Sequence, residues 1–535
     1  MKVRTWLESS LVRVFPLSPP LARRSLSLVA ARASTVSFQA CLRPDGEYPL
    51  EVRARVVASD SLVTRVRRVG CVPVPHHNTE TPISELDGVG HIPGFVPDPL
   101  FPEDTALAAP REVTAFWITV TVPRDVRPGA KTVRVELLAG RKKISSLTAT
   151  VLVSDVVLAP RRNFHVTHWF YADALCDRYR VEPFTRNFWP VCARYMKDCA
   201  DHGLDMIYVP VFTPPLDGVK RPTQLLGVKR AAGGRFAFDW RLVRRWIDEA
   251  RRAGLRSFEW THFFTQWGAK NAIRIYEKHA GDDRLLWPPA TGATSPAYRA
   301  FLAQFLPALE RFLADEHLLS HSFFHVSDEP HGTDHLAGYR KARAMLHALA
   351  PWMHVMDALS DIRYAREGLV DTPIPSITVT RQFAREGIPS WTYYCCGPRG
   401  RYLNRLLDTP LVKVRMSGWL FYRFRRLGFL HWGYNYWYKS QTRQLIDPFT
   451  VTDAMRWPDW AYGDPFVVYP GPDGPIDSIR WEVFAESLRD YALLETLGVD
   501  PDGPMLAPLR DFDDFPKDEP WLRKTLSKLL RRKST

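Results

Sequence analysis

Near residue 160 the chain passes from short alternating strands to a regular succession of apolar runs and amphipathic segments, and few folds accommodate both halves. In Val113 to Val122 the alternate positions Phe116, Ile118, Val120 and Val122 share one face, the period-2 pattern of a half-buried strand. Similar strands are readable at Leu50 to Ala58, Thr132 to Leu138 and Ser146 to Val153, with the Pro-rich loop PGFVPDPLFP between them. Such a set closes most naturally as an all-β sandwich over residues 1–158, with the first 25 or so as a loose arm.

From residue 159 the pattern is that of βα units. Phe188, Val191, Cys192, Tyr195, Met196 and Cys199 recur at helical spacing before Gly203. Asp239 reads as the cap of a helix through Val243, Trp246, Ile247 and Ala250. Ser295 and Pro296 open a third, with Phe301, Phe305, Leu309 and Phe312 on one side. Strands are expected at His165 to Tyr171, Met206 to Phe212, Ser257 to Phe264, Ser322 to Val326, His354 to Ala358, Ser376 to Val379, Trp391 to Cys395 and Phe429 to Tyr436. A last helix carries Trp481, Phe484, Leu488 and Tyr491. The fold class is therefore α/β, a (β/α)8 TIM-like barrel over 159–500 with weak helices in its fifth and sixth units, and 501–535 is a C-terminal extension.

The net charge of +14 would suit an acidic partner, but the basic residues are scattered. The short clusters at Arg65, Arg67 and Arg68, at Arg423, Arg425 and Arg426, and at Arg531, Arg532 and Lys533 belong to no nucleic-acid module, so no nucleic-acid partner is expected. The seven cysteines include no C-x-x-C pair, which removes zinc ribbons and thioredoxin-type motifs. Glu8 and Arg13 interrupt any signal-like stretch, and no apolar run is long enough to insert into a membrane; a cytoplasmic protein is the expectation.

In a barrel, reactive groups gather where strands end. HVSDEPH, His325 to His331, places Asp328 and Glu329 after the fourth apolar run, with Pro330 ending it. Adjacent residues of a regular strand point to opposite faces, so both acids reach one cavity only if the strand breaks there. Their mutual repulsion favours keeping one protonated, as a general acid requires. The alternative is an ordinary acidic helix start. Two-carboxylate glycosidases need a partner acid across the sugar, yet the sixth to eighth runs, ITVT, SWTYYCCG and FLHWGYNYW, contain none. A glycosidase built this way would take its nucleophile from the substrate, as when a 2-acetamido oxygen attacks the anomeric carbon.

SDEPH (Ser327 to His331), GFLHWGYNYW (Gly428 to Trp437) and the block from Gly463 to Leu494 resemble glycoside hydrolase family 123 and the related group called domain of unknown function 4091. PGFVPDPLFP and FWITVTVP are similar to the sandwich that precedes the barrel in that group. The resemblance implies a glycosidase that removes a terminal β-N-acetylhexosamine, N-acetylgalactosamine-like, with retention. It also implies that Asp328 orients the acetamido group while Glu329 acts as acid and base. The partner is then a carbohydrate, with no cofactor.

Trp391, Tyr393 and Tyr394 on the seventh strand and Trp432, Tyr434, Asn435 and Tyr436 on the eighth would supply stacking surfaces and polar contacts. Trp391, Tyr394, Trp432 and Asn435 are the chosen candidates, and alternation requires about half of the aromatic set to face the helices instead. His168 and His262 are read as hydroxyl binders at the mouth or as core residues. No ligand set with metal spacing is visible, so no metal is expected; for His331 and His335, Pro330 and Gly332 argue against a settled helix. Arg480 is read as a salt-bridge residue more than a substrate contact. Three other readings stay open: a non-catalytic glycan-binding barrel, a glycosidase of other sugar specificity, and a metal-dependent hydrolase using the histidines.

Overall fold

A computed structural model describes residues 2–59, 61–215, 221–279 and 282–531. Arg532 and Lys533, the end of one basic cluster, lie outside the described residues.

Two five-stranded sheets occupy the N-terminal part. The first runs, in spatial order, Val3–Ser9, Ser34–Pro44, Thr114–Val122, Val63–Val74 and Gly94–Phe101; the second runs Ser25–Arg32, Lys142–Val157, Gly129–Ala139, Leu50–Ala58 and Thr105–Ala108. Pairing is antiparallel except where Ser25–Arg32 lies parallel to Lys142–Val157. The inward alternates Phe116, Ile118, Val120 and Val122 of one sheet meet Val133, Val135, Leu137, Leu147 and Val151 of the other in one buried cluster. The start of the chain is not a loose arm. Trp6 and Leu7 are buried, and Val3–Ser9 pairs along its length with Ser34–Pro44, because its own apolar alternation gives it a face to hide.

The second part is a mixed α/β unit of short parallel strands and helices. Their ladders come in pieces: His165–His168, Gly428–His431 and Thr392–Tyr393 form one sheet; Met206–Val209, Ser257–Trp260 and Ser322–Phe323 another; Met356–Leu359 and Thr372–Pro375 a third. Isolated parallel bridges, Phe324 with Val355 and Ser376 with Tyr393, connect the pieces, and among the described residues the hydrogen-bonded sheets do not close into a barrel. The sixth strand is Thr372–Pro375 instead of the expected Ser376 to Val379; its two prolines weigh against a strand by composition, but short parallel pairing leaves their missing N–H groups outside the ladder. The helices at Arg363–Arg366 and Thr380–Arg385 are short, while Phe188–Asp201, Arg241–Ala253, Pro296–Asp315 and Ile479–Thr496 follow the expected apolar faces. Ser295 caps its helix by accepting from the Tyr298 N–H, whereas the cap position of the Arg241–Ala253 helix is Trp240, one residue after Asp239. Among the described residues no helix is long and apolar enough to cross a membrane.

Charge joins the two parts. Arg480 donates Nε to Asp98 Oδ1 at 3.0 Å and Nη2 to Asp98 Oδ2 at 2.9 Å, both side chains fully buried, and its Nη1 donates to the Gly463 carbonyl at 2.6 Å. Arg67, also fully buried, donates to Asp477 at 2.5 Å and pairs with Glu482 at 2.6 Å.

Candidate active site

The strand Ser322–Phe323 ends early, and beyond the single bridge of Phe324 with Val355 the chain runs to Pro330 outside any strand. Glu329 adopts φ +40°, a left-handed backbone that breaks strand alternation. Asp328 and Glu329 consequently line the same cleft, which encloses about 130 Å³ accessible to water. Neighbouring segments hold the pair from both sides: the Trp267 N–H donates to the Asp328 carbonyl at 2.9 Å, and the Glu329 N–H donates to the Ala358 carbonyl at 3.1 Å. On the side chains, Gln266 Nε2 donates to Asp328 Oδ2 at 3.0 Å and the Tyr393 hydroxyl donates to Glu329 Oε1 at 2.6 Å. Burial, with Glu329 beside it, pushes the Tyr393 hydroxyl well above its ordinary range, so it stays a donor.

Below the pair lies a buried chain of charge. His325 Nε2 donates to Glu259 Oε1 at 2.8 Å, and His325 Nδ1 donates to Asp357 Oδ1 at 3.0 Å. Burial opposes the imidazolium, but hydrogen bonds and charge from Asp357 and Glu259 outweigh it and raise His325 to about 9. Asp357 also accepts from the backbone N–H groups of Ser327 (3.2 Å) and Val326 (3.3 Å) and from the Tyr339 hydroxyl. The segment carrying the two acids is thus tied to a fixed charge cluster. Glu259 in turn accepts from Thr167 at 2.5 Å and from the indole of Trp169 at 2.8 Å.

Trp169 and Trp432 both line the cleft, and each indole N–H is pinned by a buried carboxylate. For Trp432 the partner is Asp464 Oδ2 at 2.7 Å, which also accepts from the Cys396 thiol at 3.0 Å. Burial pushes Asp464 up to about 6 against the pull of these donors. Trp460 leans on Trp432 with ring centroids 4.8 Å apart, and Tyr393, Cys395, Cys396 and Gln441 complete much of the wall.

Of the residues singled out from sequence, the cleft gathers Asp328, Glu329 and Trp432. It does not gather the other five. His168 is a neutral acceptor for Arg405 at 2.6 Å, its pKa held low by burial and by that guanidinium. His262 stacks on His325 with centroids 4.2 Å apart and faces the Tyr208 hydroxyl at 3.1 Å. Trp391 packs in the core against His165 and Phe323, over Gly428, where any Cβ would come within 2.3 Å of the indole. Tyr394 sits between Phe429 and His431, and Asn435 spends both amide atoms on the Tyr171 backbone. Tyr393 and Trp169, each adjacent in sequence to a chosen residue, take the inward positions instead. The sequence signals for Glu259 and Asp357 are a lone acid within SFEW and within VMDAL.

Among the described residues, two buried groups each bring three metal-type donors together, His262 with His325 and Asp357, and Asp198 with His202 and Asp477. In the first, His325 commits both ring nitrogens to carboxylates. In the second, Asp477 is engaged by Arg67 and Asp198 by His202, Tyr434 and Trp481. The second is satisfied as a hydrogen-bonded charge network, whereas in the first the buried Nε2 of His262 has no hydrogen-bond partner.

A model of the catalytic domain of glycoside hydrolase 123 matches residues 169–497, more than half of the chain and the part that contains this cleft. The solved structure of a family 123 glycoside hydrolase from Clostridium perfringens, described for glycolipid glycan hydrolysis, covers 95% of this chain and 91% of its own at 14% identity, with a TM-score of 0.73. A family 39 glycoside hydrolase from Bacteroides cellulosilyticus is far more distant, at 9% identity and a TM-score of 0.33 over 86% of this chain and 81% of its own. No curated protein matches the chain.

Proposed function

Because the chain belongs to glycoside hydrolase family 123, we propose that it removes a terminal β-N-acetylhexosamine, N-acetylgalactosamine-like, by substrate-assisted retaining hydrolysis in a (β/α)8 barrel whose strand ends carry the cleft. One observation supports this reading above the others. Among the described residues lining the cleft, Asp328 and Glu329 are the only carboxylates, and they are adjacent, so an opposed nucleophilic acid is not supplied there.

In this mechanism the acetamido oxygen attacks C1 while Asp328 accepts the amide N–H and fixes its orientation. The bond from C1 to the leaving oxygen breaks, and Glu329 gives that oxygen its proton. Glu329 then takes a proton from the water that opens the oxazolinium ring at C1, and two inversions give net retention. Tyr393 holds Glu329 Oε1, and the indoles of Trp169 and Trp432 wall the sugar.

The test is a panel of nitrophenyl β-glycosides with and without the 2-acetamido group, together with a thiazoline mimic of the cyclised intermediate. Cleavage that requires the acetamido group, with inhibition by the thiazoline, is expected. Equal cleavage of 2-hydroxy glycosides, or covalent labelling of a carboxylate by a 2-fluoro glycoside, overturns the mechanism.

A further inference from the structure

The chain has 18 tryptophans, and Trp267 alone is exposed, at 46%, among the described residues. It is also a wall of the cleft. Its backbone is left-handed, φ +59°, in a run of three such residues with Gly268 (+96°) and Ala269 (+55°). A bulky aromatic is rarely found there, and such conformations persist only where surrounding contacts enforce them. Here they do. Trp267 donates its N–H to the Asp328 carbonyl, Ser327 Oγ donates to the Thr265 carbonyl at 2.7 Å, and Gly268 packs against the His335 ring, where a Cβ would approach within 2.7 Å.

The cleft is graded. Trp169, Asp328, Tyr393 and Trp432 are buried, Glu329, Gln441 and Trp460 are half-buried, and Trp267 faces solvent. A terminal sugar that enters such a cleft occupies the enclosed end, and the remainder of the glycan leaves through the open side. An indole held there offers a flat apolar face to the C–H face of a pyranose.

We propose that Trp267 is the platform of a leaving-group subsite, its indole stacking on a saccharide on the aglycone side of the scissile bond. This rests on the reading of the cleft as a glycosidase site.

The experiment compares kcat/KM for a β-N-acetylhexosaminyl-hexose disaccharide and for the methyl β-N-acetylhexosaminide in the wild type, Trp267→Gly and Trp267→Phe. Glycine accepts the left-handed backbone, so loss of the ring is separated from strain. Trp267→Gly is expected to depress the disaccharide at least 10-fold more than the methyl glycoside, and Trp267→Phe to recover most of that difference. An equal effect on both substrates overturns the proposal. Binding is read independently of turnover in Glu329→Gln protein by quenching of indole fluorescence with the disaccharide: quenching that disappears on adding Trp267→Gly supports the platform, and unchanged quenching overturns it. A wild type that cleaves neither glycoside counts against the function proposed above, while the fluorescence titration still decides the subsite.

Discussion

The Tyr393 hydroxyl donates to Glu329 Oε1 at 2.6 Å, linking the strand Thr392–Tyr393 to the left-handed turn that follows Ser322–Phe323. Removing this bond with Tyr393→Phe leaves the ring in place and frees the carboxyl to rotate. A hydrogen bond to a charged group contributes about 1.5–3 kcal/mol. The expected result is a fall in kcat of roughly 10-fold or more with little change in melting temperature, measured by steady-state kinetics and thermal unfolding.

Glu329→Gln should lower turnover by about 10² or more, the usual scale of general acid help. The loss should shrink for nitrophenyl leaving groups, which need little protonation. Equal losses on nitrophenyl and alkyl glycosides would argue against Glu329 as the acid.

His325 makes stability pH-dependent. Its folded pKa, raised to about 9, lies above the ordinary imidazole value, so its contribution is complete below about 6.5 and disappears as pH rises through 9. Wild-type melting temperature should decline over that window, and His325→Gln should be less stable at pH 6 with a flatter profile. Parallel profiles for the two proteins would show that the proton does not reside on His325.

Asp98→Ala should destabilise the fold by about 3–5 kcal/mol, because it strands the fully buried Arg480 guanidinium at the junction between the sheet domain and the α/β part. Denaturant unfolding of Asp98→Ala, and of a double variant with Arg480→Met, measures this. The double variant should recover part of the loss; if it does not, the charge is not what the single change exposes.

Activity should survive prolonged chelation. In the group of His262, His325 and Asp357, both nitrogens of His325 are committed to carboxylates and leave no lone pair for a metal ion. Loss of activity on chelation, restored by one divalent ion, would reassign the histidine cluster.

The sequence by itself determined most of the regular elements and the adjacent pair of candidate acids. Alternation in Val113 to Val122 marked a sandwich strand, helical spacing marked Phe188 to Cys199, and Asp328-Glu329 before Pro330 marked the candidate acids, because each signal lies within a few consecutive residues. Which aromatic faces the cleft was decided only by the tertiary structure. A strand offers two faces, and their assignment depends on what packs on each side, so Tyr393 and Trp169 turn inward while their neighbours Tyr394 and His168 turn into the core. The same holds for Glu259, His325 and Asp357. They come from three separated strand ends, and a charge network of that kind exists only once those ends are adjacent, since burial makes each partner's charge depend on the others.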